Sequence, residues 1–435
     1  MLFAGCKPDL NEPKYTAGDA DFSRYVALGN SLAAGYMDNA LTLEGQLSSY
    51  PALLASRFKL VGGGSFNQPY VHPGNGFGFD FFTQTAVGKV ILVNAQNCLG
   101  QADIEVKELS GNPADKDWIG NKGPFNNMGV PGAKSYNLFS QIFGKGGAAG
   151  NPYFFRMASD TGGASGLSST VIGDAALVNP TFFTLWIGGN DVLWYATAGG
   201  EPNGIPFFEI TPVSTFEAAI DTIVRALTAG GAKGLIANVP DIADIPYFIT
   251  IPYNGLQLTA AEAVALNAVS PPGISFQAGA NAFVVSNPGG GTIRQIREGE
   301  LLLLSISQDS LLCGGLGTPQ KPIPSRYVLD STEVQNIRQA TLAYNSKLRN
   351  AATAKNLAYA DMFTFFKTFT SGFQFNGASY TTAYIQGGAF SLDGIHPNSR
   401  GYAIIANEMI RVINARYNSN LPPVDVNAGT GILFP

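Results

Sequence analysis

Arg24-Tyr25-Val26-Ala27-Leu28, followed at once by Gly29-Asn30-Ser31-Leu32-Ala33-Ala34-Gly35, is a short apolar run that passes directly into a glycine-bracketed serine. A run this short and continuous reads as a strand buried on both faces, and the small residues after it read as a turn into a helix. The same kind of run recurs at Thr181-Phe-Phe-Thr-Leu-Trp-Ile187, Gly234-Leu-Ile-Ala-Asn-Val239 and Asn356-Leu-Ala-Tyr-Ala360. Helical stripes lie between and after these strands. Phe216, Ile220, Ile223 and Leu227 mark one, Val334, Ile337, Thr341, Tyr344 and Leu348 a second, and Tyr402, Ile405, Met409 and Val412 the last. Ser214 followed by Glu217 predicts a capping box at the start of the first stripe. Doubly buried strands separated by helices imply a mostly parallel sheet joined by right-handed crossovers, hence an α/β fold of three α/β/α layers. In such a sheet the functional groups gather beyond the carboxyl ends of the strands.

The residues just after each strand are therefore the informative ones. Ser31 stands at the first strand-to-helix turn, where a hydroxyl can be exposed as a nucleophile and its own N–H can point outward. After Ile187 comes Gly188-Gly189-Asn190-Asp191, in which Asn190 offers a side-chain N–H donor. Between them, Asn127-Met-Gly129-Val-Pro-Gly132-Ala133 is a glycine-rich turn able to aim a backbone N–H at the same point. Near the end, Asp393-Gly-Ile-His396-Pro397 sets a carboxylate three residues before one of only two histidines in 435 residues. A histidine near neutral pH is the usual general base, and a neighbouring carboxylate fixes its tautomer and stabilises the imidazolium. Each feature taken singly is more often structural. Their order at the ends of successive βα units is the property an ordinary loop does not account for.

Composition narrows the function. Charged residues are only 13% and the net charge is -5, so no basic face is available to neutralise phosphates, and nucleic acid is an unexpected partner. With 52 Gly, 29 Phe and long polar stretches, the chain suits a secreted or surface setting. Two histidines and three dispersed cysteines make no metal cluster, and neither a Gly-x-Ser-x-Gly elbow nor a phosphate-binding glycine loop occurs, so neither metal nor cofactor is expected. His72 sits in a loop of aromatic and glycine residues and reads as a loop residue. Cys98 and Cys313 could pair in an oxidising compartment, but their spacing does not assign the bond. A single core over residues 22–418 is expected, enlarged by insertions at about 62–124, 146–175, 196–213 and 241–325 on the face of the site and followed by a tail, 419–435.

Leu2-Phe3-Ala4-Gly5-Cys6 resembles the end of a bacterial lipoprotein signal, although only five residues precede the cysteine. The resemblance implies lipidation of Cys6, a polar tether up to residue 21, and anchoring to the outer membrane or cell surface. An unmodified free cysteine is the other reading. No apolar run long enough to span a bilayer comes after it.

The four blocks together resemble the SGNH/GDSL family of esterases and lipases: GNSLAAG at Ser31, NMGVPGA at Gly132, GGND at Asn190 and DGIHP at Asp393 and His396. The likeness covers about 22–61, 125–145, 176–240 and 326–416. It implies a flavodoxin-like sheet, Ser31 as nucleophile, His396 as base and then acid, and Asp393 as the partner that orients it. It also implies an oxyanion hole made by the N–H groups of Ser31 and Gly132 and the Asn190 amide, with an ester of a carbohydrate or lipid as substrate. Two positions depart from the family pattern. Asn30 stands where aspartate is usual, and Gly120-Asn-Lys-Gly-Pro124 is a poor strand to precede the Gly132 block. A surface-binding lipoprotein without turnover, or an acyltransferase using the same serine, are the alternatives.

Overall fold

The structure is a computed structural model that describes residues 14–80, 83, 85–111, 120, 123–147, 150–163 and 165–435. Five parallel strands form the central sheet: β1 (Tyr25–Gly29), β2 (Asn127–Gly129), β3 (Phe182–Trp186), β4 (Lys233–Ala237) and β5 (Ala358–Ala360). Their spatial order is 2-1-3-4-5, the flavodoxin-like arrangement. Every residue of β1 and β3 is buried, which is why both read as unbroken apolar runs rather than alternating ones.

Six helices matter for the site: α1 (Ser31–Ala34), α2 (Tyr50–Phe58), α3 (Asn190–Thr197), α4 (Val213–Thr228), α5 (Ser331–Ala354) and α6 (Ser399–Tyr417). On one face α2 packs on α6, on the other α4 packs on α5, and β5 is touched by both α5 and α6. This is the expected three-layer sandwich. Stacked rings close both layers, Phe22 on Phe58 and Phe216 on Tyr344, each pair with centroids 4.0 Å apart. Fully burying one such side chain stabilises the fold by roughly 1.5–3 kcal/mol.

Two local expectations are corrected. The Ser214–Glu217 capping box does not form, because α4 already begins at Val213 and Pro212 takes the cap position without a side-chain bond. With Pro212 at the cap, the helix starts two residues earlier than it would from Ser214. The strand that leads into Gly132 is Asn127–Gly129, within the block itself rather than before it. Asparagine is a poor strand former, yet here tertiary bonds override propensity. Asn126 Nδ2 donates to Tyr25 O (2.7 Å), and Asn127 Nδ2 donates to Ala33 O (2.9 Å) and Gln68 Oε1 (2.8 Å).

Gly129 lets β2 approach α1 closely. A Cβ there would lie 2.3 Å from Ala34 N and 2.6 Å from Ala33 C, both backbone atoms that cannot swing aside. Gly129→Ala is therefore expected to cost about 3 kcal/mol or more. Urea denaturation measures it, and an unchanged midpoint would mean that the contact is looser than the geometry requires.

Two insertions rise beside the carboxyl ends of the strands. An antiparallel ribbon, Val90–Gln96 with Ala102–Glu108, is rooted on the β1–α1 side by Val90 N–H donating to Asp38 O (2.8 Å). Near its tip Cys98 is joined to Cys313 in the other insertion, so the pairing that spacing left open is formed. That second insertion has its own apolar core around Phe276, Phe283, Val284, Val285, Leu302 and Ile323. After α6 the chain returns across it, burying Leu421, Val424 and Val426. No described helix is long and apolar enough to cross a membrane. Cys6 and its flanks lie outside the described residues.

Candidate active site

Ser31 is placed by the residue before it. Asn30 leaves β1 in a non-helical conformation and caps α1, its Oδ1 accepting from Leu32 N (3.0 Å). The cap bond expected of an aspartate is thus made by the uncharged amide, with no buried charge beside Ser31. As the first helical residue, Ser31 has an N–H with no acceptor inside its own helix.

His396 reaches Ser31 from 365 residues further along the chain, with Nε2 2.8 Å from Ser31 Oγ. Its Nδ1 lies 2.9 Å from Asp393 Oδ2. An ionised carboxylate only accepts, so Nδ1 carries the proton and Nε2 presents its lone pair to the serine hydroxyl. The loop folds tightly around the carboxylate: Oδ1 accepts from Ile395 N (2.9 Å) and His396 N (2.8 Å), while Oδ2 also accepts from Asn39 N (3.1 Å). Burial alone would push the Asp393 carboxyl up, but the imidazole and the His396 and Ile395 N–H groups hold it below the usual carboxylate range. Asn398 then caps α6, its Oδ1 accepting from Gly401 N (3.0 Å), so the loop's far end is pinned to a long helix. The Tyr36 ring, 4.9 Å from the imidazole, limits its tilt.

Gly132 and Asn190 come after the two strands that flank β1. Gly132 has φ +82, a conformation that favours glycine, and its N–H meets no acceptor among the described residues. Asn190 opens α3 and donates one amide hydrogen from Nδ2 to Ala133 O (2.9 Å), and the other has no acceptor among the described residues. Further bonds rivet α3 to this turn. Trp194 Nε1 donates to Gly132 O (3.2 Å), and the Asp191 carboxylate accepts from Ser135 N (2.9 Å) and Ser135 Oγ (2.7 Å). The Asn30 side chain lies close to this turn, since a Cβ on Gly189 would stand 3.5 Å from its Nδ2. Every sequence-predicted site residue within the described chain thus lies at the ends of β1, β2 and β3 or on the loop before α6. His72 stays in its own loop and makes none of the bonds of the Ser31–His396–Asp393 chain.

The GDSL-like Lipase/Acylhydrolase family matches residues 25–409. The chain belongs to that family. Solved structures similar to it include an extracellular lipase from Streptomyces rimosus, at 12% identity, with 90% of this chain and 98% of that chain covered and a TM-score of 0.34. No curated protein matches. Membership in a lipase and acylhydrolase family makes the chain a hydrolase acting on esters.

Around the GDSL blocks the structure adds residues that sequence reasoning passed over. Lys134, directly after the Gly132 turn, is buried and donates from Nζ to Glu209 O (2.6 Å); burial draws its pKa down to about 8. It ties the turn to the loop before α4. Trp194 and Phe207 stand beside that turn with ring centroids 4.8 Å apart. Asp38 and Asn39 form the tip of a hairpin against the Asp393 loop; their one sequence signal is a two-residue Asp-Asn turn between short apolar pairs. Among the described residues no group of three or more His, Cys, Asp or Glu is placed to hold a metal.

Proposed function

We propose that this GDSL-family protein is a serine ester hydrolase that works through an acyl-enzyme on Ser31, with an acylated carbohydrate or a lipid ester as substrate. The observation that carries the reading is the unbroken chain Asp393 Oδ2, His396 Nδ1, His396 Nε2, Ser31 Oγ, with links of 2.9 and 2.8 Å. Ser31 Oγ attacks the ester carbonyl carbon as His396 Nε2 takes its proton. The imidazolium then gives that proton to the departing alkoxide, the ester C–O bond breaks, and the acyl group stays on Ser31. Water, deprotonated by the same Nε2, attacks the acyl carbon and releases the acid with Ser31 restored. Negative charge on the carbonyl oxygen would be met by the Ser31 and Gly132 N–H groups and by the free amide hydrogen of Asn190.

Asn190→Ala is then expected to lower kcat by about 10²–10³-fold with KM little changed. Steady-state kinetics on p-nitrophenyl acetate read it, and a fall under about twofold would remove Asn190 from this role. The acyl-enzyme itself is tested with a fluorophosphonate probe, which should add one label per chain on the Ser31 peptide. An active enzyme labelled elsewhere would overturn the reading. Substrate class is tested by a series of acyl chain lengths from acetyl upward, beside acetylated xylan. The aromatic wall of Trp194 and Phe207 suits either an acyl chain or a sugar face. The same proposal places the protein at the cell envelope through a lipid on Cys6, which the Leu2–Cys6 sequence supports. In a host that processes lipoproteins, Cys6→Ser should move the protein out of the membrane fraction, and unchanged partitioning counts against the anchor.

A further inference from the structure

The chain segment that carries Asp393 is gripped from outside by a hairpin tip the reaction scheme does not use. Tyr36-Met37 pairs with Ala40-Leu41, and the two residues between them, Asp38 (φ 52) and Asn39 (φ 63), are both left-handed, as a type I′ turn requires. Non-glycine residues seldom hold that conformation twice in succession, so the turn persists because its surroundings determine it. Those surroundings are the Asp393 loop. Asp38 N–H donates to Ser391 Oγ (3.0 Å), Asp38 Oδ1 accepts from Leu392 N (2.9 Å), and Asn39 N–H donates to Asp393 Oδ2 (3.1 Å). Three consecutive residues of the loop are thus bonded by two residues of the tip. Tyr384 holds the other side of Leu392, its hydroxyl donating to Leu392 O (2.5 Å).

We infer that Asp38 is a positioning residue for the Ser31–His396–Asp393 chain, acting through Leu392 and Asp393 both by locking the loop and by placing a second negative charge behind the orienting carboxylate. The inference rests on the acyl-enzyme reading above. The geometry has two effects. The lock keeps Asp393 Oδ2 aligned on His396 Nδ1, so that the imidazole faces Ser31. The charge favours the imidazolium that forms when His396 takes the serine proton. Other groups face Asp38 as well: Asp393 and Tyr384 from the loop side, and Lys89 and Glu44 from the ribbon and the segment after the hairpin, with Glu108 near Asn39 Nδ2 (3.5 Å). A cavity of about 220 Å³ lies on the far side, lined by Asp38, Glu44, Lys89 and Leu392 together with the terminal residues Thr430–Pro435. Burial first, and the nearby Asp393 charge next among the groups that raise it, lift the Asp38 carboxyl to about 6, against the Leu392 N–H and Lys89 that lower it. The charge behind Asp393 is therefore present above about pH 6 and lost below it.

Asp38→Asn separates charge from lock, because the amide oxygen can still accept from Leu392 N–H. The acid limb of kcat/KM should move to lower pH by on the order of half a unit, with a plateau within about fivefold of wild type. Asp38→Ala removes the acceptor too and should lower kcat by about 10–100-fold at constant KM, since a small misalignment of reacting groups is costly. Both variants are measured on p-nitrophenyl acetate across pH 4–9, with near-ultraviolet circular dichroism to confirm packing. A residue that merely supported the fold would change the amount of active enzyme and leave the acid limb where it was. An unshifted acid limb in Asp38→Asn overturns the inference while the ester hydrolase reading stands, and it decides the matter even if Asp38→Ala fails to fold. Absence of Ser31-dependent hydrolysis in the wild type would overturn both.

Discussion

Ser31→Ala is expected to lower kcat for p-nitrophenyl acetate by about 10⁶-fold, the scale on which removal of a triad nucleophile acts in serine hydrolases. What little activity survives would come from the proposed oxyanion donors and from substrate positioning, which the substitution leaves in place. The fold should not suffer. Among the described residues Ser31 Oγ bonds only to His396 Nε2, while the cap of α1 is made by Asn30 and the contact with β2 runs through backbone. Alanine also has the better helix propensity, by several tenths of a kcal/mol. Thermal unfolding should therefore occur at or slightly above the wild-type temperature. Activity equal to wild type in a folded Ser31→Ala protein would end the assignment.

Asp393→Asn is expected to cost about 10⁴-fold in kcat, although it changes the volume of the side chain very little. All four bonds to the carboxylate come from donors: two backbone N–H groups to Oδ1, and Asn39 N–H and His396 Nδ1 to Oδ2. An amide must turn its NH₂ toward one of these pairs. If the NH₂ faces Nδ1, His396 adopts the other tautomer and presents Nε2–H to Ser31, where no proton can be accepted. If it faces the backbone pair, Ile395 and His396 N–H lose their acceptor and the loop opens. Stability should fall as well, with a defined pH dependence. The Asp393 carboxyl sits below its ordinary range in the folded chain, so the stability it contributes is present above about pH 3.9 and is lost as pH falls through the lower folded value. The gap in denaturation midpoint between wild type and Asp393→Asn should accordingly be full at pH 7 and narrow below about pH 3.9. A gap independent of pH would mean that the carboxylate is not held in its charged form.

Legibility from sequence varied with the kind of interaction that forms each element. β1, β3, β4 and β5 are read within two residues, because a parallel strand under helical layers is mostly apolar and so marks itself. β2 escapes the same reading. Its Asn127 is satisfied by Gln68 and Ala33, two partners that no local window contains. Ser214 carried a valid capping pattern and lost to Pro212, which moves the helix start by two residues. The Asp38-Asn39 tip is legible as a turn, but not as a clamp on a loop some 350 residues further along, bonded by Asn39 N–H on Asp393.

The order of four of the five sheet strands and of their helices, the serine at the first turn, the Gly132 and Asn190 turns and the Asp393–His396 spacing were all determined by the sequence alone. Each depends on short-range sterics, small residues at turns and the burial pattern of a few neighbouring positions, and these act within a window of about ten residues. Only the tertiary structure decided that His396 Nε2 lies on Ser31 Oγ, that Asp191 and Trp194 rivet α3 to the Gly132 turn, that Cys98 meets Cys313, and that Asp38 stands behind Asp393. These contacts join segments whose own periodicities carry no record of one another. They are selected when the sheet closes, because a buried N–H or carboxylate must find a partner there or bear the full cost of leaving water.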